Sequence, residues 1–170
     1  MAPSLRKRRL EVGPYAGTVT EFRAVRTDDP DAAALLDEYF AMREHGMSGY
    51  RIVHPDPAVF TEPAGVFVVA SVGGAPVGGG GIRMLDPRRA EVKHLYVRPS
   101  TRGTGLGRAL LEELERRASV LGATDVVLDT NARLEAAQSL YRSAGYAEVD
   151  PYNDNPNATH WFRKDLGTSP

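Results

Sequence analysis

The spacing of apolar residues predicts a group of strands in the first half of the chain. Residues 21–26 alternate between apolar and polar and predict a short strand, whereas residues 32–43 place apolar side chains at helical spacing. Residues 65–72 form a nearly continuous apolar run, which is typical of a buried central strand. Residues 75–85 and 90–97 predict two further strands, and Gly73-Gly74 predicts a hairpin turn between the strand over 65–72 and the strand over 75–85.

The second half of the chain alternates between predicted helices and strands. Leucine and alanine side chains share one face of a helix predicted over residues 105–121, and Gly122 follows where a helix commonly ends. A buried strand is predicted over residues 125–129 and a second amphipathic helix over residues 133–144. Two closing strands are predicted over residues 146–149 and 160–164. This order of elements predicts a mixed α/β sheet with helices on both faces.

Composition narrows the class of protein. The chain has 170 residues and 42% hydrophobic residues, which is enough for one domain with a sizeable core. Its formal net charge of -1 does not suggest nucleic acid as a partner, and no apolar run approaches the roughly 20 residues of a membrane span. The absence of cysteine excludes a catalytic thiol, a disulfide framework and thiolate metal sites. We therefore expect a cytoplasmic protein that does not bind membranes.

The two termini lack clear periodicity. We expect residues 1–20 to form a flexible extension and residues 167–170 a tail. The basic run at residues 6–9 has two readings, a solvated terminus or an arm that contacts a partner. The folded domain is expected over residues 21–166.

The most informative segment is a glycine-rich turn between a predicted strand and a predicted helix. Glycines stand at positions 103, 105 and 107, where the helix begins. The first amides of a helix lack intrahelical partners and carry partial positive charge, so such a turn binds phosphate. Arg102 and Arg108 can add charge-assisted contacts.

The spacing of these glycines does not match two other known phosphate-binding motifs. A dinucleotide fold requires Gly-x-Gly-x-x-Gly, and the last gap here is one residue too short. A P-loop requires Gly-Lys-Ser/Thr at its end, and this turn contains no lysine. A turn that only permits a tight strand-to-helix connection remains an alternative.

Two segments resemble signatures of the GNAT superfamily of N-acetyltransferases. Residues 102–107, Arg-Gly-Thr-Gly-Leu-Gly, resemble its Gln/Arg-x-x-Gly-x-Gly/Ala motif. Residues 140–146, Leu-Tyr-Arg-Ser-Ala-Gly-Tyr, resemble its Leu-Tyr-x-x-x-Gly-Phe segment. The resemblance covers roughly residues 21–165 and implies a single domain with a mixed, mostly antiparallel central sheet.

The resemblance also implies acetyl-CoA as co-substrate, with no metal. In that family the turn holds the diphosphate of coenzyme A, and the preceding strand binds the pantetheine arm through its backbone. Many members carry Asn seven residues before the conserved Tyr, but that position is Leu134 here, and Asn131 is the nearest alternative. The expected cofactor-binding residues are Leu95, Tyr96, Val97, Arg102, Gly103, Thr104, Gly105, Leu106, Gly107, Arg108 and Asn131.

Acetyl transfer to an amine requires three kinds of chemical assistance. A lysine-like amine with a pKa of about 10.4 must lose a proton, and the tetrahedral oxyanion needs hydrogen-bond donors. The departing thiolate, from a thiol with a pKa near 8.5, needs a proton or a hydrogen bond. We expect backbone amides near residues 95–97 to serve the oxyanion and Tyr141 to act as the acid. The alternative interpretation is that Tyr141 is an aromatic residue of the helix that only packs in the core.

Glu91 is the candidate general base. It stands eleven residues before Arg102, where some family members place a catalytic Glu. It could act directly or through a water molecule, and the alternative is a surface carboxylate paired with Arg89 or Lys93. His94 is a second candidate because its ordinary pKa suits neutral pH.

The identity of the acceptor is left open by the sequence. The polar loop over residues 150–161 and the segment 45–57 are expected to form its pocket, although plain surface loops would look the same. The acceptor is expected to be a small-molecule or peptide amine, the acyl group could be larger than acetyl, and a homodimer is one possible assembly. The competing functions are a non-catalytic acyl-CoA-binding module and a nucleotide- or nucleic-acid-binding domain.

Overall fold

The computed structural model of the protein describes residues 7–12 and 17–167. Over these residues eight strands form one sheet, and three α-helices pack against it. The helices are α1 (Pro30–Gly46), α2 (Leu106–Val120) and α3 (Glu135–Ser143). None of them combines the length and apolar character needed to cross a membrane. The strands are β1 (Lys7–Glu11), β2 (Val19–Val25), β3 (Gly65–Val72), β4 (Ala75–Met84), β5 (Arg89–Val97), β6 (Asp125–Thr130), β7 (Ala147–Val149) and β8 (His160–Asp165).

The sheet has the order β1-β2-β3-β4-β5-β6-β8-β7. Only β5 and β6 pair in parallel, and every other neighbouring pair is antiparallel. One core cluster joins one face of the sheet to α2 and α3, and a second joins the opposite face to α1. The prediction of a mixed, mostly antiparallel sheet with helices on both faces is confirmed.

Strand β3 shows why the sheet accepts helices on both faces. Val66 and Val68 belong to the cluster under α2, whereas Phe67 and Val69 belong to the cluster under α1. Successive side chains of a strand point to opposite faces, so a continuous apolar run supplies both clusters at once. The run therefore places β3 inside the molecule rather than at its edge.

The glycine run in β4 allows other elements to approach the sheet closely. A Cβ at Gly80 would lie 3.0 Å from a Leu114 methyl group of α2, and a Cβ at Gly81 would collide with the ring of Phe60. Glycine is a weak strand former, but here its missing side chain makes room for the helix and for the ring. Helix α2 consequently sits directly on the centre of the sheet.

The expectation of a flexible extension over residues 1–20 is wrong for β1. Residues 7–11 pair with β2 in antiparallel register, and Lys7 forms an ion pair with Glu21 at 2.8 Å. Arg8 reaches the buried Glu113 of α2 at 2.9 Å. Backbone pairing with β2, ion pairs to Glu21 and Glu113 and the packing of Leu10 against the core hold the strand to the domain. Residues 1–6 and 13–16 of the expected extension and residues 168–170 of the expected tail lie outside the described residues.

Candidate functional site

The site begins where the two parallel strands separate. Strands β5 and β6 pair only from Arg89 with Asp125 to Glu91 with Val127, although both strands continue further. Their carboxyl ends diverge and open a cavity of about 1090 Å³. Ligands in α/β proteins commonly bind at the carboxyl ends of such strands. Residues 92–97 of β5 and residues of α3 form facing walls.

A β-bulge shapes the β5 wall. The register between β4 and β5 shifts, so that Gly79 opposes Tyr96 while Gly81 opposes Lys93. His94 takes φ +56°, which is uncommon for a residue with a side chain. A bulge leaves one residue outside the ladder and redirects its neighbours. The backbone at Leu95 is thereby brought to the cavity wall.

The glycine turn and the start of α2 close one end of the cavity. Gly103 and Gly105 have φ of +74° and +84°, a left-handed conformation that a side chain would strain. Gly105 is the N-cap of α2 and offers no side-chain cap, so the first amides of the helix keep their donors free of a capping side chain. Gly107 and Arg102 line the cavity, and Arg102 donates through Nε to the Val97 carbonyl at 3.1 Å.

The expected cofactor residues divide into two groups. Leu95, Tyr96 and Val97 line the cavity together with Arg102, Gly103 and Gly107. The remaining five are not part of its wall, and their contacts are made within the protein. Thr104 donates to the Thr101 carbonyl, Arg108 donates to Ser143, Leu106 packs in the core, Gly105 caps α2, and Asn131 donates to the Asn157 carbonyl.

Tyr141 lies in α3 at the boundary between core and cavity. It is 6% exposed, and its ring packs against those of Tyr146 and Phe162 at 5.9 Å between centroids. The residue also lines the cavity, and no hydrogen bond to its hydroxyl occurs among the described residues. Burial raises the pKa of Tyr141 to about 12, so the phenol carries its proton at neutral pH. The core packing of Tyr141 is thus observed, and its role as a proton donor stays a prediction.

Glu91 lies behind the cavity wall. Its side chain is fully buried and is absent from the lining. The carboxylate accepts hydrogen bonds from Tyr152 at 2.9 Å and from Arg83, and Lys93 Nζ lies 3.5 Å away. The alternative of a surface carboxylate paired with Arg89 or Lys93 is met only in part. Lys93 is a neighbour, but Glu91 is not at the surface, and Arg89 pairs with Asp125 instead. This arrangement does not favour direct proton removal from a bound amine.

His94 lines the cavity on the face that carries α1. Its ring lies 5.4 Å from that of Tyr39 and 5.5 Å from that of Phe40, measured between centroids. Burial lowers the pKa of His94 to about 3, and the charges of Lys93 and Arg83 act in the same direction. The ring is therefore uncharged at neutral pH and can accept a hydrogen bond.

The two segments expected to form the acceptor pocket both line the far end of the cavity. Tyr50, Arg51 and His54 come from the first, and Asn153, Asn155 and Asn157 come from the second. Asn157 joins the two, because it accepts from the Arg51 amide at 3.0 Å and donates to the Arg51 carbonyl at 2.9 Å. Their assignment to an acceptor stays a prediction.

Sequence reasoning missed several charged residues of the wall. Arg83, Lys93 and Asp129 are brought together only by the sheet, and no local pattern marks them. Arg43 did carry a signal, because it follows Leu36 and Phe40 on the buried face of α1, where a charge is unexpected. Within residues 7–12 and 17–167 no cluster of three or more His, Asp or Glu side chains could hold a metal ion.

Comparison with known proteins supplies independent information on the same residues. The sequence model of the Acetyltransferase (GNAT) family matches residues 29–146. The uncharacterized N-acetyltransferase YjgM of Escherichia coli is 29% identical over 138 residues, which cover 75% of this chain and 81% of the relative. An uncharacterized N-acetyltransferase of Schizosaccharomyces pombe is 43% identical over 70 residues, which cover 41% of this chain and only 43% of the relative.

Solved structures share the fold at lower sequence identity. The GNAT domain of S. lividans PAT superposes with a TM-score of 0.74 at 19% identity, covering 98% of this chain and all of that one. A phosphinothricin acetyltransferase of Sinorhizobium meliloti in complex with AcCoA gives a TM-score of 0.57 at 23% identity, covering 85% of this chain and 89% of that one. The site described above thus lies on a fold found in acetyltransferases.

Proposed function

Because the chain belongs to the GNAT acetyltransferase family, we propose that it transfers an acetyl group from acetyl-CoA to an amine acceptor. One observation carries the proposal: a single cavity is lined both by residues at the amino terminus of α2 and by Tyr141. It thereby joins a place for phosphate to a place for acid catalysis. The related phosphinothricin acetyltransferase that holds AcCoA supports the choice of co-substrate.

The cavity offers different contacts to the two ends of coenzyme A. The free amides of the α2 amino terminus and the guanidinium of Arg102 suit the diphosphate. The backbone of residues 95–97, where β5 has left β6, suits the amides of the pantetheine arm. The thioester would then lie toward Tyr141 of α3.

Tyr141 is proposed as the general acid. The amine nitrogen attacks the thioester carbonyl carbon, the tetrahedral intermediate collapses, and the carbon–sulfur bond breaks as the acetyl group passes to nitrogen. The phenol proton of Tyr141 goes to the departing sulfur, and the phenolate is reprotonated from solvent. An amide at the bulge near Leu95 is proposed as donor to the oxyanion.

Glu91 is proposed to act on the reaction only through its neighbours. The buried carboxylate fixes Arg83 and the Tyr152 hydroxyl, and both Arg83 and Lys93 line the cavity. With Glu91 enclosed and the pKa of His94 lowered to about 3, neither of the two candidate bases suits direct removal of the amine proton. We propose that water in the cavity receives the proton of the amine.

The experiment that tests the proposal measures release of CoA thiol from acetyl-CoA in the presence of a broad panel of amines. We expect acetylation of at least one amine class, verified by mass spectrometry of the product. Propionyl-CoA in parallel tests whether a larger acyl group is preferred. Binding of CoA without acetylation of any amine would support the non-catalytic module and contradict an acetyltransferase.

A further inference from the structure

Arg43 is a buried cation that faces the cavity. It lies in the last turn of α1, is 8% exposed and lines the cavity wall. Its guanidinium carbon sits 5.0 Å from the ring centroid of Tyr50, which comes from the segment expected to contact the acceptor. The contact is a cation–π interaction, so the ring of Tyr50 helps to position the guanidinium.

In the described part of the chain no acidic group forms an ion pair with Arg43. Among residues 7–12 and 17–167 Arg43 has no hydrogen bond or ion pair, and its Nε is buried without a partner. Two other cations of the wall are paired, Arg83 with Glu91 and Lys93 with Asp129. A buried charge that lacks a partner is costly, so a structural role alone gives no reason to keep one here.

The position of Arg43 separates it from the part of the cavity suited to phosphate. Burial raises the pKa values of the Tyr39 and Tyr141 phenols, and the positive charge of Arg43 opposes that rise at both. Arg43 also follows Tyr39 by one turn of α1, and the Tyr39 ring lies 5.4 Å from His94 at the β5 bulge, where the thioester is proposed to bind, whereas Arg102 and Gly103 belong to the glycine turn. The only partner expected near the thioester besides coenzyme A is the acceptor.

We propose that Arg43 binds a carboxylate of the acceptor, and that the acceptor is a small amino acid rather than a simple amine. The inference rests on the proposed function and names its substrate class. The fork of N–H groups on a guanidinium matches the two oxygens of a carboxylate. In an amino acid the amine stands a few bonds from the carboxylate, so fixing the carboxylate directs the amine toward the thioester.

The test compares acids with their amides. Thiol release is measured with each of the twenty standard amino acids and with the corresponding amino acid amides, which keep the amine and lose the negative charge. For the best substrate we expect kcat/KM for the acid to exceed that for the amide at least 100-fold, because a site that binds a charged group rejects analogues without it. In Arg43→Met the ratio should fall to about one, and Arg43→Lys should restore part of it.

The control is Arg133→Met, which removes an exposed charge from the wall of the same cavity, outside the two segments expected to bind the acceptor. It should change the acid-to-amide ratio less than threefold, and CoA affinity should stay within threefold in every variant. Amides used as well as acids by the wild type would overturn the assignment while leaving acetyl transfer intact. An equal effect of Arg133→Met would overturn the role of Arg43. If no amino acid and no amino acid amide is acetylated while other amines are, an amino acid acceptor is rejected. If no amine of any kind is acetylated, the proposed function itself is rejected.

Discussion

Arg8 of β1 donates a hydrogen bond to the fully buried Glu113 of α2 at 2.9 Å. The same carboxylate accepts from Arg116 at 2.8 Å and from Arg117 at 2.7 Å. The amino-terminal strand is thereby tied to the helix whose first turn forms the candidate phosphate site. The position of that helix depends on a charge cluster far from the cavity.

Acid should destabilise the protein through Glu113. Burial by itself raises the pKa of Glu113, but the hydrogen bonds from Arg116 and Arg8 outweigh it and hold the pKa at about 2. A lowered folded-state pKa gives stability that is present above the ordinary value of 4.5 and is lost as pH falls toward 2. The difference between the two values corresponds to about 3 kcal/mol.

Urea unfolding of the wild type and of Glu113→Gln from pH 7 to pH 2 measures this contribution. The variant should be about 3 kcal/mol less stable at pH 7, because a neutral amide no longer balances the charges of the three arginines, and the two proteins should converge toward pH 2. The exposed Glu112→Gln is the control and should change the free energy of unfolding by less than about 0.5 kcal/mol. A constant difference between wild type and Glu113→Gln at all pH values would contradict the assignment.

Tyr141→Phe should slow acetyl transfer without weakening cofactor binding. Loss of a positioned acid lowers kcat by about 100-fold or more, whereas the ring that packs against Phe162 is retained. The matched control is Tyr146→Phe, which removes a neighbouring buried phenol that does not line the cavity. Stopped-flow or thiol-release kinetics should show a much larger fall in kcat for Tyr141→Phe than for Tyr146→Phe. An equal fall in kcat in both variants would contradict the role given to Tyr141.

Glu91→Gln separates a base from a positioning residue. Because the carboxylate is enclosed by Arg83 and Tyr152, we expect a fall of about tenfold in kcat/KM together with lower stability, and an unchanged shape of the pH–rate profile. A general base would instead give a profile that loses its acidic limb in the variant. The kcat/KM profile from pH 5 to pH 10 decides between them.

Gly107 allows the candidate phosphate site to be blocked without disturbing the fold. A Cβ there would meet Leu140 at 3.6 Å, which is an ordinary contact. Gly107→Ala should therefore fold, and its free energy of unfolding should rise by up to about 1 kcal/mol. Its affinity for CoA should stay within threefold of that of the wild type. Gly107→Glu places a negative charge in the first helical turn, which suits the helix but repels phosphate. We expect the dissociation constant of Gly107→Glu for CoA to rise at least tenfold. Equal affinities of the two variants for CoA would exclude this turn as the diphosphate site.

The sequence predicted most elements because their periods are unambiguous. The continuous run of β3 and the amphipathic pattern of α2 lie where expected, with bounds of Gly65–Val72 and Leu106–Val120. The turn at residues 102–107 was recognisable because glycine is required there by positive φ at two positions. Local pattern and local conformation were enough for these parts.

Other features depend on contacts between distant residues. Strand β1 is held by charges at Glu21 and Glu113, which hydrophobic periodicity does not register. The enclosure of Glu91 by Tyr152 joins residues 61 positions apart, so its accessibility could not be read from its place in β5. The proposed role of Arg43 likewise depends on Tyr50 and on the cavity that the divergence of β5 and β6 creates.

The central claim is that the cleft between β5 and β6 binds coenzyme A with its diphosphate at the amino terminus of α2. Isothermal titration of the folded protein with CoA and with pantetheine, which lacks the diphosphate, tests it most directly. We predict that CoA binds with one-to-one stoichiometry and at least tenfold more tightly than pantetheine. No binding of CoA, or equal affinity for the two compounds, would contradict the claim.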